Sequence, residues 1–221
     1  MTTEEMTVVS LYAQNMFVLN SRKNTLLNCN LDATIIDKIK ESIVYNSQSY
    51  IEMDENSFYV PVGNGTEVSL IKWLQEAEIP VHDIMATKEQ AGRVCAQVPF
   101  NSNLKRSIIA VELPQLQDTV RIYVKGAPEI VIANAQYHYD KDGNKVPFRQ
   151  DEKDALFQLM EDKMTTNSLR TLAFSYRDMS INDFQSMMSQ MSGDIDSEDE
   201  IRHLEQDQTF LSLVALADPV R

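Results

Sequence analysis

The apolar positions along this chain change period several times, and each change predicts an element. Ile35, Ile36, Ile39 and Ile43 recur at helical spacing, so 31–45 is predicted to be an amphipathic helix with Asp32 as its cap. A second helix is predicted over 66–76, introduced by Val62-Gly63-Asn64-Gly65, and a third over 81–91, ending at Gly92. The middle of the chain then reads as strands, with 94–98 and 107–113 as candidates. In 120–125, Val120, Ile122 and Val124 alternate with Arg121, Tyr123 and Lys125, so one face of the strand is apolar and the other polar. Ala127-Pro128-Glu129 opens a short helix, with proline and an acid where a first turn favours them. A hairpin is predicted over 137–148, turning at Asp140-Lys141-Asp142-Gly143-Asn144. Helices at 150–164 and 181–188 and strands at 7–11, 169–176 and 209–217 complete the pattern. Helices and strands mix without regular alternation. The expected fold is therefore an α/β domain of the α+β kind: a largely antiparallel twisted sheet flanked by helices.

Composition bounds what such a domain does. With 221 residues the chain is long enough for one good-sized domain or two small ones, and 1–221 reads as a single domain with a core of its own. At 43% hydrophobic and 24% charged residues, the chain has the make-up of a folded protein. Its formal charge of -13 argues against nucleic acid and anionic membrane surfaces as partners, although a small anion can still enter a locally basic pocket. No apolar run approaches a bilayer span, since 210–217 is only strand-sized, so direct membrane insertion is not expected. The first residues lack the basic and apolar regions of a secretory signal. Cys29 and Cys95 suit a reducing compartment and have no metal-ligand spacing, so no metal site is expected. The 140–144 segment resembles a calcium loop only in its acids, because its glycine comes too early. In 194–200, Asp199 stands where such a loop needs glycine, and the segment reads as a solvated acidic loop.

Four segments carry candidate chemistry. In Val124-Lys125-Gly126-Ala127-Pro128-Glu129 a strand ends, a glycine admits a close neighbour and a helix begins. Lys125 there is either a surface lysine at a junction or a point charge for a phosphate or ring system. In Pro99-Phe100-Asn101-Ser102-Asn103-Leu104-Lys105-Arg106 an aromatic precedes turn residues and two cations, which suits a base and its phosphates. The alternative is a core phenylalanine at a strand end. The glycine-rich entry before Glu67 lacks the Lys-Ser/Thr of a phosphate-cradling loop. Glu67 either favours its helix dipole or accepts a hydrogen bond from an exocyclic amine. In Ser168-Leu169-Arg170-Thr171-Leu172, Arg170 and Leu172 share one strand face, cationic beside apolar.

Together and in this order, these segments resemble the nucleotide-binding domain of the P-type cation-transporting ATPases, over nearly the whole chain. Lys125-Gly126-Ala127-Pro128-Glu129 is similar to that family's adenosine-site signature. The resemblance implies that Phe100 stacks on adenine, Glu67 contacts its amine, and Lys125 and Gly126 form the pocket wall. It implies further that Lys105 and Arg170 reach the phosphates and Leu172 packs on the base, with Ser102, Arg106 and Ala127 as further candidates. Leu104 lengthens the loop relative to calcium pumps, so either Lys105 or Arg106 holds the second cationic role; Lys105 is favoured by its distance from Phe100. Glu4-Glu5-Met6-Thr7-Val8 and Asp218-Pro219-Val220-Arg221 resemble the hinges to a phosphorylation domain. Val62-Gly63-Asn64-Gly65-Thr66-Glu67 and Pro99-Phe100-Asn101-Ser102 are most like the plasma-membrane-type calcium pumps. The implied ligand is ATP, carried with Mg2+ in an intact pump. The implied partners are the phosphorylation and actuator domains of one parent chain, on the cytoplasmic side of a membrane. The phosphorylated Asp-Lys-Thr-Gly-Thr motif is missing, so hydrolysis by this chain alone is not expected. The alternative is a protein-interaction module that kept the fold and lost nucleotide binding.

Overall fold

The structure, a computed structural model, describes residues 6–19, 26, 29–90, 93–113 and 115–218, with the side chains of all but 87–90 and 166. The chain enters through the hairpin β1 (Thr7–Ala13) and β2 (Met16–Leu19) and continues into helix α1 (Ala33–Tyr45). A separate ribbon, β3 (Tyr50–Met53) and β4 (Tyr59–Val62), leads to helices α2 (Gly65–Glu76) and α3 (Val81–Gln90). The meander β5 (Arg93–Asn101), β6 (Arg106–Glu112) and β7 (Thr119–Gly126) follows, then helix α4 (Pro128–Asn134). Next come β8 (Ala135–Tyr139), β9 (Lys145–Pro147) and helix α5 (Gln150–Lys163). The long strand β10 (Arg170–Ser180), helices α6 (Ile181–Gln190) and α7 (Glu198–Leu204), and strand β11 (Gln208–Ala217) end the fold.

The main sheet runs β2-β1-β11-β10-β7-β6-β5, with β8 joined to β11 and β9 to β8. Its pairings are antiparallel except for β8 with β11. The expected fold class is the observed one. Adjacent residues of the central strands face opposite sides, so each side has its own core. On one side α1 and α2 place Ile35, Ile39, Leu70 and Leu74 against Ile109, Tyr123, Phe174 and Leu216. On the other, Leu156, Phe184 and Ile201 pack against Ile108, Ile122, Val124 and Leu213. Each such burial stabilises the fold by about 1.5–3 kcal/mol.

Local signals worked where chemistry is local. Asp32 caps α1 by accepting from the Thr34 N–H, and these bonds hold its carboxyl below the ordinary range. At 140–144, Asp140 Oδ1 accepts from the Asp142 and Asn144 N–H groups, and Gly143 turns with φ 81°, which makes a hairpin turn. The predicted stop at Gly92 lies outside the described residues. The acidic segment is less solvated than expected. Ser197 caps α7, Glu200 is buried and accepts from the Ser192 and Gly193 N–H groups, and Glu198 and Glu205 reach an arginine across the fold.

Candidate functional site

Glu67 owes its place to the turn before α2. Gly63 sits where a Cβ would fall 2.1 Å from Ser49 Oγ, so only glycine lets this turn press on the 46–49 segment. Asn64 Oδ1 accepts from the Glu67 N–H at 3.0 Å, capping the helix with Glu67 in its first turn. The Glu67 carboxylate then reaches back. Oε2 accepts from the N–H groups of Gln48 and Ser49 and from Ser49 Oγ, each at 3.0 Å. Oε1 accepts from Lys125 Nζ at 2.7 Å, and the same ammonium donates to the Asn46 carbonyl at 2.6 Å.

Lys125 is no surface lysine: it is 4% exposed and Glu67 7% exposed. Burial pushes the Glu67 carboxyl up, but Lys125 and the hydrogen bonds to it outweigh that, and it stays below its ordinary value. Burial pulls the Lys125 ammonium below its ordinary value, with Glu67 opposing.

Gly126 faces a different constraint from ligand approach. A Cβ there would lie 2.5 Å from Arg106 Cβ, at the start of the neighbouring strand β6, and 2.6 Å from the carbonyl oxygen of Lys105 in the turn before it. Gly126→Ala is expected to lower stability by about 1–3 kcal/mol, the usual cost of overpacking, measured by urea denaturation. The Ala127 N–H donates to that same Lys105 carbonyl at 2.9 Å, tying the start of α4 to the turn after β5.

A bulge places Phe100. Val98 pairs with Ile108 and Asn101 with Arg106, so Pro99 and Phe100 share the space opposite Ser107. Ser107 pairs in turn with Lys125, and Lys125 with Phe174. One cross-strand row thus runs from Phe100 through Ser107 and Lys125 to Phe174. Phe100 is 57% exposed, which excludes the core-phenylalanine reading. Ser102 lies exposed at the tip of the following turn, and Leu104 is buried in the second core.

The two cations after Phe100 part company. Lys105 has φ 53° in the turn, stays exposed and lies 3.7 Å from exposed Glu129. Arg106 is 2% exposed and lies across the sheet from Lys125. It donates Nη1 to the Leu104 carbonyl and Nη2 to Glu198, and its Nε is 2.5 Å from Glu205 Oε1. Strand alternation causes this split: Arg106 pairs with Gly126, Ser107 with Lys125. Arg170, Leu172 and Phe174 alternate along β10 on the Lys125 side. Leu172 is half-buried against the first core, and exposed Arg170 meets exposed Asp218 at 2.8 Å. Asn46, Gln48 and Ser49 escaped the sequence reading, because a short polar run after a helix looks like any loop.

Residues 34–221 match the family model for the P-type ATPase cytoplasmic domain N. The chain belongs to this family. A plasma membrane-type calcium-transporting ATPase 10 of Oryza sativa subsp. japonica is 30% identical to this N domain over 181 residues, 81% of the chain and 17% of that relative. The protein of the same name from Arabidopsis thaliana is 27% identical over 221 residues, 100% of the chain and 19% of the relative. Plasma membrane calcium-transporting ATPase 4 of Bos taurus is 28% identical over 187 residues, 85% of the chain and 14% of the relative. The N domain therefore spans less than a fifth of the length of these relatives. Among its described residues, no helix is long and apolar enough to cross a membrane.

Proposed function

We propose that this N domain binds ATP on the Lys125 side of its sheet and presents the γ-phosphate to a phosphorylation domain of a parent calcium transporter. The observation that carries this reading is the single cross-strand row that holds an exposed aromatic ring and a carboxylate-held lysine with Ser107 between them. Phe100 supplies a free face for adenine, and Leu172 supplies apolar surface beneath it. Glu67 Oε1 takes one bond from Lys125, which leaves acceptor capacity for the base amine. Lys125 and Gly126 form the floor, with Ser102 and Ala127 at its margin, while Arg106 braces the hairpin from the opposite side. Among the described residues Arg170 and Lys105 pair with exposed carboxylates alone, and such pairs contribute little, so a phosphate group draws either cation away at small cost. Arg170 lies four residues along β10 from the Lys125 row, about 13 Å, so the ligand must be elongated. Magnesium would ride on the phosphates.

In this reading residues 1–221 are one domain whose two ends are hinges, on the cytoplasmic side of a membrane. The pairing of Thr7 with Ala217 supports it, because the chain enters and leaves the sheet side by side. The actuator and phosphorylation domains of the same parent chain are then its partners.

Amide shifts during ATP titration test the proposal. Shifts are expected at Glu67, Phe100, Lys125, Gly126 and Arg170. Phe100→Ala is expected to weaken binding by about 10- to 100-fold, since stacking on an aromatic contributes about 1–3 kcal/mol per base. Silence at millimolar ATP overturns the function and returns the fold to a protein-interaction role. An unchanged Kd in the Phe100 variant moves the site elsewhere.

A further inference from the structure

The 46–49 segment has a polarity that matches the ion pair it surrounds. Its first residue offers a carbonyl to the Lys125 ammonium, while Gln48 and Ser49 offer N–H groups to the Glu67 carboxylate. Asn46 is the cap residue at the end of α1, its N–H bonded to the Ser42 carbonyl, where helix carbonyls lack partners and the dipole is negative. Its buried side chain grips both strands around Lys125. Nδ2 donates to the Ser107 carbonyl at 3.0 Å and to the Tyr123 carbonyl at 3.5 Å. Ser107 lies directly across from Lys125, and Tyr123 precedes it by two residues on the same strand.

We propose that Asn46 is a positioning residue for Lys125: its side chain locks the end of α1 onto β6 and β7, and its carbonyl then fixes the direction of the ammonium. This rests on the reading of Lys125 as a nucleotide contact. An ammonium has three donors. Among the described residues Asn46 and Glu67 take two, so one remains, and its direction is set by the other two. The nucleotide thus meets a lysine that offers a single aimed bond instead of a freely rotating charge.

Ammonium-resolved NMR of the labelled chain tests this without nucleotide. The wild type is expected to show a slowly exchanging Lys125 Nζ signal, coupled across the hydrogen bond to the Asn46 carbonyl carbon. Asn46→Asp keeps the shape and the carbonyl but cannot donate to Ser107 or Tyr123. It is expected to lose the slow signal and to bind ATP about tenfold more weakly. Asn46→Ser, smaller and still a donor, is expected to fall between the two and serves if the aspartate variant does not fold. A merely structural Asn46 predicts lower stability with the Lys125 signal intact in the folded protein, and that result overturns the inference. So does ATP binding by a wild type that lacks the coupling, which leaves the proposed function standing. Coupling in a wild type that ignores ATP instead removes the nucleotide role and sinks that function.

Discussion

Replacing Glu67 by Ala lowers the unfolding free energy by roughly 3–5 kcal/mol at neutral pH, the usual cost of stripping one partner from a buried ion pair. The loss is large because Glu67 serves four donors at once. Among the described residues, its removal leaves the buried Lys125 ammonium with the Asn46 carbonyl alone and strips the Gln48 N–H and the Ser49 hydroxyl of this acceptor, while the Ser49 N–H keeps Ser47 Oγ at 3.1 Å. Replacing both partners, Glu67→Leu with Lys125→Met, recovers much of the stability, since an apolar pair of similar volume avoids desolvating two charges. The pH trend has a definite sign. Glu67 has a folded-state pKa below its unfolded value, so its contribution is full above about pH 4.3 and fades as pH falls through the folded value. The gap between wild type and Glu67→Ala therefore narrows in acid because the wild type weakens. Urea denaturation at pH 7 and pH 3 measures it, and a gap under about 1 kcal/mol at pH 7 would mean that solvent reaches the pair.

Arg106→Met is expected to cost a similar amount, roughly 3–5 kcal/mol at pH 7, with the opposite origin for its pH trend. The substitution strands Glu205, which is 4% exposed and among the described residues keeps Asn134 Nδ2 alone, at 3.2 Å. Burial already pushes the Glu205 carboxyl up against the pull of Arg106, so without the arginine it rises further. A carboxyl raised in the folded state penalises folding as pH climbs above its unfolded value, and protonation relieves the penalty. Here the gap to wild type narrows in acid because the variant recovers. A variant equally destabilised at pH 5 and pH 7 would show that Glu205 finds another partner.

These two ion pairs show why the site was only half legible beforehand. Phe100, Lys125 and Arg170 stand out as residue types in short patterns. That Glu67 meets Lys125 does not, because 58 residues separate them. Arg106 and Lys105 are neighbours in the chain, and nothing in their order says that one is consumed by Glu198 and Glu205 across the sheet. Glu198 and Glu205 look solvated until that arginine is placed beside them, and Glu200 until it is seen to accept from the Ser192 and Gly193 N–H groups.

The fold divides along the same line. Helix α1 and strand β7 are written in their own periodicities, and the Asp32 cap needs only its near neighbours. Ribbon β3–β4 and strand β2 left no usable signal, since each is a four-residue strand with little buried surface to impose alternation. The amino-acid order alone thus determined helices α1 to α6, the central strands, the α+β class and the residue types of the site, but not α7, whose acids read as a loop. Only the tertiary structure decided which charges share a side of the sheet. A bulge of one residue at Phe100 and the strict alternation of β6 settle that, and both depend on register between strands far apart in the chain.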